Sequence, residues 1–234
     1  MKHLTENNQT EVIFFTGLQS AVLPVYLRTE VMDENDMIIE DFYENYTNLT
    51  LKTVLMLKWV NRNCNMSNLK IFAKIDDDVF VNPVNFLKVL DSRKDMKNLM
   101  LGNLACERKV TRSPGDKYHV PYEVYSYSYY TDFLSGTGYV ISADLLPDLY
   151  MLALRSNFFH LEDVFLTGFL RKQLNVVATG HEGFVLCIDV RDEERLKTVV
   201  LVHCFEEGEL EFAWGVIRGQ TSGLAKNDGW TCRL

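Results

Sequence analysis

The stretch KIDDDVFVN, residues 74–82, places three consecutive carboxylates, Asp76 to Asp78, between two apolar runs. The flanks predict a buried strand that ends at the triplet, where adjacent like charges repel unless something compensates them. Side chains alternate along an extended strand, so Asp76 and Asp78 would project to one side about 7 Å apart, with Asp77 on the other. Such a pair suits a hard cation such as Mn²⁺ or Mg²⁺ that also binds phosphate. The alternative is a solvated acidic turn in which Asp77 or Asp78 caps the next helix.

Apolar periodicity elsewhere predicts an α/β fold. Strands are predicted at residues 11–17, 36–42, 69–75, 98–105, 134–142, around 183–189 and around 197–203. Helices are predicted at 48–62 with Asn48 as cap, from Pro83 with Asn82 as cap, from Ser142 as cap to about Leu154, from Glu162 or Asp163, and at 209–217. The polar, Tyr-rich stretch 107–131 is either a substrate-facing loop or a long surface connection. The acidic triplet then lies at the carboxyl end of a strand, where open α/β sheets bind ligands.

Length and composition limit the possible domain organisation, partners and location of the protein. The 234 residues predict a single domain over 1–234 with an irregular tail at 217–234, and the net charge of −8 argues against a nucleic-acid partner. No apolar run is long enough to span a membrane, and the N-terminus does not resemble a signal peptide. Yet the chain has five cysteines without metal-site spacing, and four N-glycosylation sequons, at Asn8, Asn45, Asn48 and Asn65. These features favour a secretory lumen and a chain that lacks the front of a longer protein.

A histidine and an aspartate elsewhere in the chain are further candidates for a role in the site of the acidic triplet. His203 ends the apolar run TVVLVHCF and is either a nitrogen ligand to the same ion or an ordinary half-buried histidine. Asp163, in the triplet Glu-Asp-Val, precedes a predicted helix and is expected to cap it. The helix dipole also keeps that carboxylate ionised, so a cap can act as a general base.

Five segments, in this order and approximate spacing, together resemble the β-1,3-galactosyltransferase and N-acetylglucosaminyltransferase family, glycosyltransferase family 31. They are DFYENYTNLTLKT (41–53), KIDDDVFVN (74–82), FLSGTGYVIS (133–142), LEDVFLTG (161–168) and VHCFEEGELEFAW (202–214). The resemblance covers about residues 11–216. It implies a GT-A-like nucleotide-sugar-binding fold with a mostly parallel central sheet flanked by helices. It also implies a UDP-sugar donor, Mn²⁺ dependence, inversion at the anomeric carbon and a type II membrane protein of the Golgi lumen.

The resemblance assigns roles in donor binding to four of these residues. Asp76 would lie near the ribose or uracil side of the sugar nucleotide, and Asp77 belongs to the same cofactor-binding motif. Asp78 would bind the metal ion. His203 falls where the family has its metal-binding histidine.

The resemblance also implies roles around the reacting atoms. Asp163 matches the catalytic base of the Glu-Asp-Val motif, and Glu162 accompanies it. Gly136 and Gly138 match the family's SGxGY loop, where an absent Cβ lets the backbone approach a sugar closely. An ordinary tight turn is the alternative for the two glycines.

The implied function is transfer of galactose or N-acetylglucosamine from a UDP-sugar to a hydroxyl of a glycan acceptor, on a glycoprotein or glycolipid, in β-1,3 linkage. Family members ordinarily carry a further strand and an Arg-rich helix start before the segment matched by IFFTG (13–17). We therefore expect this N-terminal strand to be missing, and membrane attachment only through a segment absent from this chain. The alternative function is a catalytically silent isoform that binds a glycan or a partner. Metal-dependent phosphoester hydrolysis would need further ligands.

Overall fold

The computed structural model describes residues 10–18, 29, 31, 36–93, 95–206 and 208–220. Within them the strands are β1 Phe14–Leu18, β2 Met37–Tyr43, β3 Ile71–Ile75, β4 Phe80–Val81, β5 Met100–Ala105, β6 Phe133–Ser142, β7 Ala178–Gly180, β8 Phe184–Val185 and β9 Leu201–Val202. The helices are α1 Leu49–Asn63, α2 Pro83–Asp91, α3 Leu146–Arg155, a π-helix Val164–Leu170, α4 Arg171–Gln173, α5 Glu193–Thr198 and α6 Glu209–Ile217, with short 3₁₀ turns at Tyr46–Asn48 and Ala143–Leu145. The predicted α/β class is confirmed. The sequon at Asn8 and most of the tail lie outside the described residues.

The strands form mixed sheets, so the prediction of a mostly parallel central sheet is wrong. The four-stranded sheet has the order β3-β6-β5-β7, and β6 is antiparallel to both of its neighbours. The physical reason is the excursion between β5 and β6, which returns the chain in the opposite direction. Parallel pairs are β5 with β7, β8 with β9 and β1 with β2.

Both faces of the four-stranded sheet are buried. Met100 and Ile141 face one apolar cluster, which α1, α3 and the π-helix complete. Leu101 and Val140, the next residues along the same strands, face a second cluster formed with α2, β4, β8 and β9. This alternation is the ordinary period of a strand, and it fixes which side chains of β3 and β6 point toward the π-helix.

Most predicted elements are confirmed, with differences around the last strands. The helix predicted over 48–62 is α1, and the last predicted helix is α6. The strand predicted around 197–203 is wrong at its start, because α5 extends to Thr198, and only β9 follows it. Asp192 is the N-cap of α5, since its side chain accepts the N–H of Arg195 at 3.0 Å. This cap stabilises a helix that reaches into the start of the predicted strand. The strand predicted around 183–189 is limited to β8.

Of the predicted helix caps, Asn82 is confirmed, because its side chain accepts the N–H of Asn85 at 3.2 Å. Two others are wrong. Asn48 precedes α1, but its amide donates to the carbonyl of Tyr43 at 2.8 Å. Ser142 makes no cap, because its hydroxyl accepts the N–H of Leu99 at 2.9 Å between β5 and β6. At Ser142 the hydroxyl that a cap would need is thus used between two strands, whereas at Asn48 the side chain is used in the turn after β2.

The loop between β5 and β6 is organised around a single guanidinium. Arg112 donates to the carbonyls of Val120 at 2.6 Å and of Tyr125 and Tyr127 at 2.7 Å. Its guanidinium also lies 4.0 Å from the ring centroid of Tyr122. The Tyr-rich stretch is thus a folded loop with its own framework.

This framework predicts that Arg112→Lys lowers the free energy of unfolding by about 2 kcal/mol, since an ammonium cannot reproduce the fork of hydrogen bonds to three carbonyls. Urea unfolding measures the change. Arg62→Lys, at an exposed position near the end of α1, is the matched control. A change at Arg112 no larger than that of the control would show that the fork does not stabilise the loop.

Candidate active site

The acidic triplet forms a turn directly after β3. Ile75, the last residue of β3, pairs with Gly138 of β6, and the N–H of Asp76 donates to the carbonyl of Thr137 at 3.1 Å. The chain then turns, with the N–H of Val79 reaching the carbonyl of Asp76 at 3.4 Å. The prediction that Asp76 and Asp78 project to one side, as on an extended strand, is therefore wrong. The alternative of an acidic turn is confirmed, but neither Asp77 nor Asp78 caps the next helix, whose cap is Asn82. The turn directs the two side chains to different partners.

Asp76 points toward a lysine that the sequence analysis did not single out. Lys74, whose side chain is only 8% exposed, contacts the Asp76 carboxylate. Its ammonium donates to the carbonyl of Gly136 at 2.6 Å and lies 3.8 Å from a carboxylate oxygen of Glu162. Burial by itself lowers the pKa of Lys74, but the carboxylates of Glu162 and Asp76 outweigh it and the pKa is raised. The lysine therefore remains charged and compensates the clustered acids.

Glu162 is buried beside the sheet. The hydroxyl of Tyr139, on β6, donates to its carboxylate, and Tyr139 is itself inaccessible to solvent. Burial raises the pKa of Glu162 to about 7, against the opposing effect of Lys74. Glu162 thus lies behind Asp163 as an internal carboxyl that can hold a proton near neutral pH.

Asp163 is the N-cap of the π-helix and is half-buried. One carboxylate oxygen accepts the N–H of Val164 at 2.8 Å, and the other accepts the N–H of Gly136 at 3.1 Å. Burial raises its pKa, opposed by these two N–H groups and then by Lys74. The carbonyl of Asp163 accepts the hydroxyl of Thr167 at 2.6 Å. π-helical segments are rare but are frequent at functional sites. Here the two N–H groups fix the orientation of the carboxylate.

The two glycines of the SGxGY loop differ in what surrounds them. A Cβ added at Gly138 would lie 2.6 Å from a methyl of Leu201, so the absent side chain accommodates packing from β9. A Cβ added at Gly136 would lie 3.4 Å from the Cβ of Asp163. That distance is an ordinary van der Waals contact, so a small side chain at residue 136 would fit beside Asp163, in contrast to Gly138. The prediction that a sugar approaches the two glycines stays a prediction.

Asp78 and His203 come together from segments that are distant in sequence. Oδ2 of Asp78 lies 3.2 Å from Nε2 of His203, which follows β9. A carboxylate oxygen and an imidazole nitrogen this close can bind one divalent ion, and both are suitable ligands for Mn²⁺. No group of three or more potential metal-binding side chains occurs in the described part of the chain. Two protein ligands fit an ion whose other ligands come from a substrate diphosphate and water.

The strand end that carries His203 is held by a disulfide. Cys204 pairs with Cys187, and its sulfur lies 3.3 Å from Nδ1 of His203. Cys204 has a φ of 73°, which is uncommon for a residue with a side chain. Cys64 and Cys106 are free thiols. The sequence alone did not predict the pairing, because five cysteines allow many connectivities.

Two tyrosines and a lysine flank the site. The rings of Tyr46 and Tyr118 lie 6.2 Å apart, edge to face, and the ammonium of Lys117 lies 4.8 Å from the centroid of Tyr118. Partial burial, and after it Tyr118 and Asp163, raise the pKa of the Tyr46 hydroxyl. Sequence reasoning did not single out these residues; the signals were the Tyr-rich composition of 107–131 for Lys117 and Tyr118, and the segment 41–53 for Tyr46.

The raised pKa of Glu162 predicts how the free energy of unfolding depends on pH. Between its ordinary pKa of 4.5 and its folded pKa of about 7, the folded state holds a proton that the unfolded state has lost. The free energy of unfolding should therefore fall as pH rises through this window, by about 3 kcal/mol for this one group. In Glu162→Gln that fall should be absent.

Urea unfolding of both proteins from pH 4.5 to 8 measures the effect, because the difference between them removes the contribution of other groups. Glu193→Gln, at an exposed position in the first turn of α5, is the control and should keep the wild-type slope. Parallel pH profiles for wild type and Glu162→Gln would contradict the assigned burial and protonation.

An acidic turn at a strand end, tied to a helix-capping aspartate in an α/β fold, is the arrangement that the resemblance to a glycosyltransferase family implies. The comparison with known proteins agrees: the chain belongs to the galactosyltransferase family, whose model matches residues 1–182. This confirms the resemblance drawn from the five segments.

Two relatives illustrate the similarity. The rat UDP-GlcNAc:betaGal beta-1,3-N-acetylglucosaminyltransferase 7 is 37% identical over 149 residues, covering 64% of this chain and 37% of that protein. The human beta-1,3-galactosyltransferase 1 is 34% identical over 216 residues, covering 89% of this chain and 65% of that protein. The chain thus spans between about a third and two thirds of the length of these relatives. Among the described residues, no helix combines the length and apolar character needed to cross a bilayer.

Proposed function

We propose that this protein is an inverting hexosyltransferase that moves galactose or N-acetylglucosamine from a UDP-sugar to a glycan hydroxyl in β-1,3 linkage. The observation that carries the proposal is a continuous set of contacts between the acidic turn and the candidate base. Asp163 accepts the N–H of Gly136, whose carbonyl accepts the ammonium of Lys74, which in turn contacts Asp76. One network of hydrogen bonds and an ion pair thus connects a turn that would bind the donor to a base that would activate the acceptor. This arrangement suits the transfer of a group between two substrates.

On the donor side, Asp78 and His203 would hold a divalent ion, and Asp76 and Asp77 would face the sugar nucleotide. Bound Mn²⁺ would supply stabilisation of the negative charge that develops on the departing diphosphate. His203 lies ready for this task because the disulfide between Cys187 and Cys204 fixes its strand end. Both ligands are partly exposed, so a nucleotide can reach them.

On the acceptor side, Asp163 would take the proton from the attacking hydroxyl. Its raised pKa moves the carboxylate toward the working pH, which improves a general base, while two N–H groups keep it in one orientation. Attack opposite the leaving group converts an α-linked donor into a β-glycoside. No second carboxylic acid is required, because the diphosphate leaves without protonation.

Tyr46 and Tyr118 would form the acceptor-facing wall. Tyr46 is electrostatically coupled to Asp163, and both rings are partly exposed. Aromatic faces next to a base can contact the apolar face of a sugar ring, with the hydroxyl left to bind polar groups. The loop 107–131 would then be substrate-facing, and a glycan on a glycoprotein or glycolipid would be the acceptor.

A luminal location agrees with two further features, and we place the protein in the Golgi lumen, as a type II membrane protein. The disulfide requires an oxidising compartment to persist. The sequons at Asn45 and Asn65 lie at exposed positions, as glycosylation requires.

Isothermal titration of the protein with UDP, UDP-galactose and UDP-N-acetylglucosamine, with and without Mn²⁺, tests the proposal. Mn²⁺-dependent binding of UDP and of at least one UDP-sugar, followed by transfer to a β-galactoside or N-acetylglucosaminide acceptor, is expected. Absence of nucleotide binding together with retained glycan binding would favour the catalytically silent module instead.

A further inference from the structure

Lys74 is a buried cation shared by three separate parts of the chain. It lies on β3, while its oxygen partners belong to the acidic turn (Asp76), to β6 (Gly136) and to the residue before the base (Glu162). A buried ammonium must be paired with acceptors, because leaving it unpaired would be costly. The position of each partner is therefore constrained by the position of one nitrogen atom.

The hydrogen bonds of this ammonium go to the donor-side turn and to β6. Gly136 accepts at 2.6 Å and Asp76 is within hydrogen-bond distance, whereas the nearest oxygen of Glu162 is 3.8 Å away. Glu162 has another partner in the hydroxyl of Tyr139. Neutralising Glu162 is thus not the whole role of Lys74.

Gly136 connects the lysine to the base. Its carbonyl accepts the Lys74 ammonium, and its N–H donates to the Asp163 carboxylate. One residue of β6 is therefore held from both sides, by the Lys74 ammonium at its carbonyl and by the Asp163 carboxylate at its N–H. A shift of Lys74 would move Asp76 and Asp163 relative to each other.

We propose that Lys74 is a positioning residue for sugar transfer, which sets the spacing between the donor-binding turn and the base Asp163 through Asp76 and Gly136. This inference rests on the proposed transferase function. Misplacing reacting groups by about 1 Å can cost about 10²-fold in rate, so the effect should appear in kcat.

The test compares Lys74→Met with the double variant Lys74→Met/Glu162→Gln. The double variant removes the buried ammonium together with the buried carboxyl beside it, and leaves two uncharged side chains of similar size in their place, so its fold should be retained even if the single variant is destabilised. If Lys74 served only to neutralise Glu162, the double variant would recover the kcat of Glu162→Gln. We expect instead that kcat stays lower than in Glu162→Gln by about 10²-fold. Lys58→Met, which breaks an ion pair with Glu40 outside the site, is the matched control.

A second readout does not depend on turnover. Hydrogen exchange at the Gly136 amide, which donates to Asp163, should be at least about tenfold faster in the double variant than in Glu162→Gln. An unchanged Gly136 amide, or a kcat in the double variant equal to that of Glu162→Gln, would overturn the inference. Wild-type protein without transfer activity would overturn the proposed function instead, while the exchange measurement would still decide whether Lys74 holds Gly136.

Discussion

Asp163→Asn is expected to lower kcat by about 10³-fold, since a general base contributes roughly 10²–10⁴-fold and an amide cannot take up the proton. Asparagine keeps the size of the side chain and one oxygen that can accept the N–H of Val164, which is now at 2.8 Å. The π-helix should therefore stay capped and the fold unchanged. Because Asp163 is not among the proposed ligands of the donor, the affinity for UDP should change by less than about threefold.

A single-turnover assay together with UDP titration separates the two effects. Asp192→Asn is the matched control, because Asp192 is also a helix-capping aspartate but lies at α5, away from the site. Wild-type kcat in Asp163→Asn would exclude Asp163 as the base. A parallel loss of UDP affinity would show that Asp163 acts in donor binding instead.

Asp78→Ala is expected to remove the Mn²⁺ dependence of UDP binding. Mutation of residues that only support metal ligands costs about 10–100-fold in metal affinity, so loss of a ligand should cost at least about 100-fold. The same result is expected for His203→Ala, since its Nε2 lies 3.2 Å from the Asp78 carboxylate and would share the ion.

Titration of UDP at several Mn²⁺ concentrations measures this loss. Asp91→Ala, at an exposed carboxylate at the end of α2, controls for a general change in surface charge. Equal Mn²⁺ stimulation in wild type and in Asp78→Ala would remove Asp78 from the metal site. A loss in Asp78→Ala but not in His203→Ala would leave the imidazole as a neighbour only.

The local part of the site could be read from the sequence. The apolar runs around Asp76 to Asp78 predicted a strand end, and the position of Asp163 before an apolar periodic segment predicted a cap. Both follow from periodicity and capping over a few residues, which the chain encodes locally. The turn at the triplet was predicted only as the alternative to an extended strand, because whether a strand continues for two more residues depends on its pairing with β6.

Contacts between distant segments could not be predicted in the same way. Lys74 was missed because a lysine in an apolar strand is usually assigned to the solvent face; only the register of β3 with β6, together with the position of Glu162, buries it. The mixed sheet was missed because the mostly parallel arrangement was taken from the resemblance, whereas the direction of β6 is defined by its pairing with β3 and β5, which are distant in sequence. Tyr139 and Glu162 likewise meet only in the folded chain.

The central claim is that the acidic turn and Asp163 form one site that transfers a sugar from UDP. Its most direct test is NMR analysis of the product formed from a UDP-hexose and a glycan acceptor by the wild-type protein with Mn²⁺. The account predicts a new β-1,3-linked glycoside whose formation stops when a chelator is added. An α-linked product, or release of UDP with free hexose and no glycoside, would contradict it.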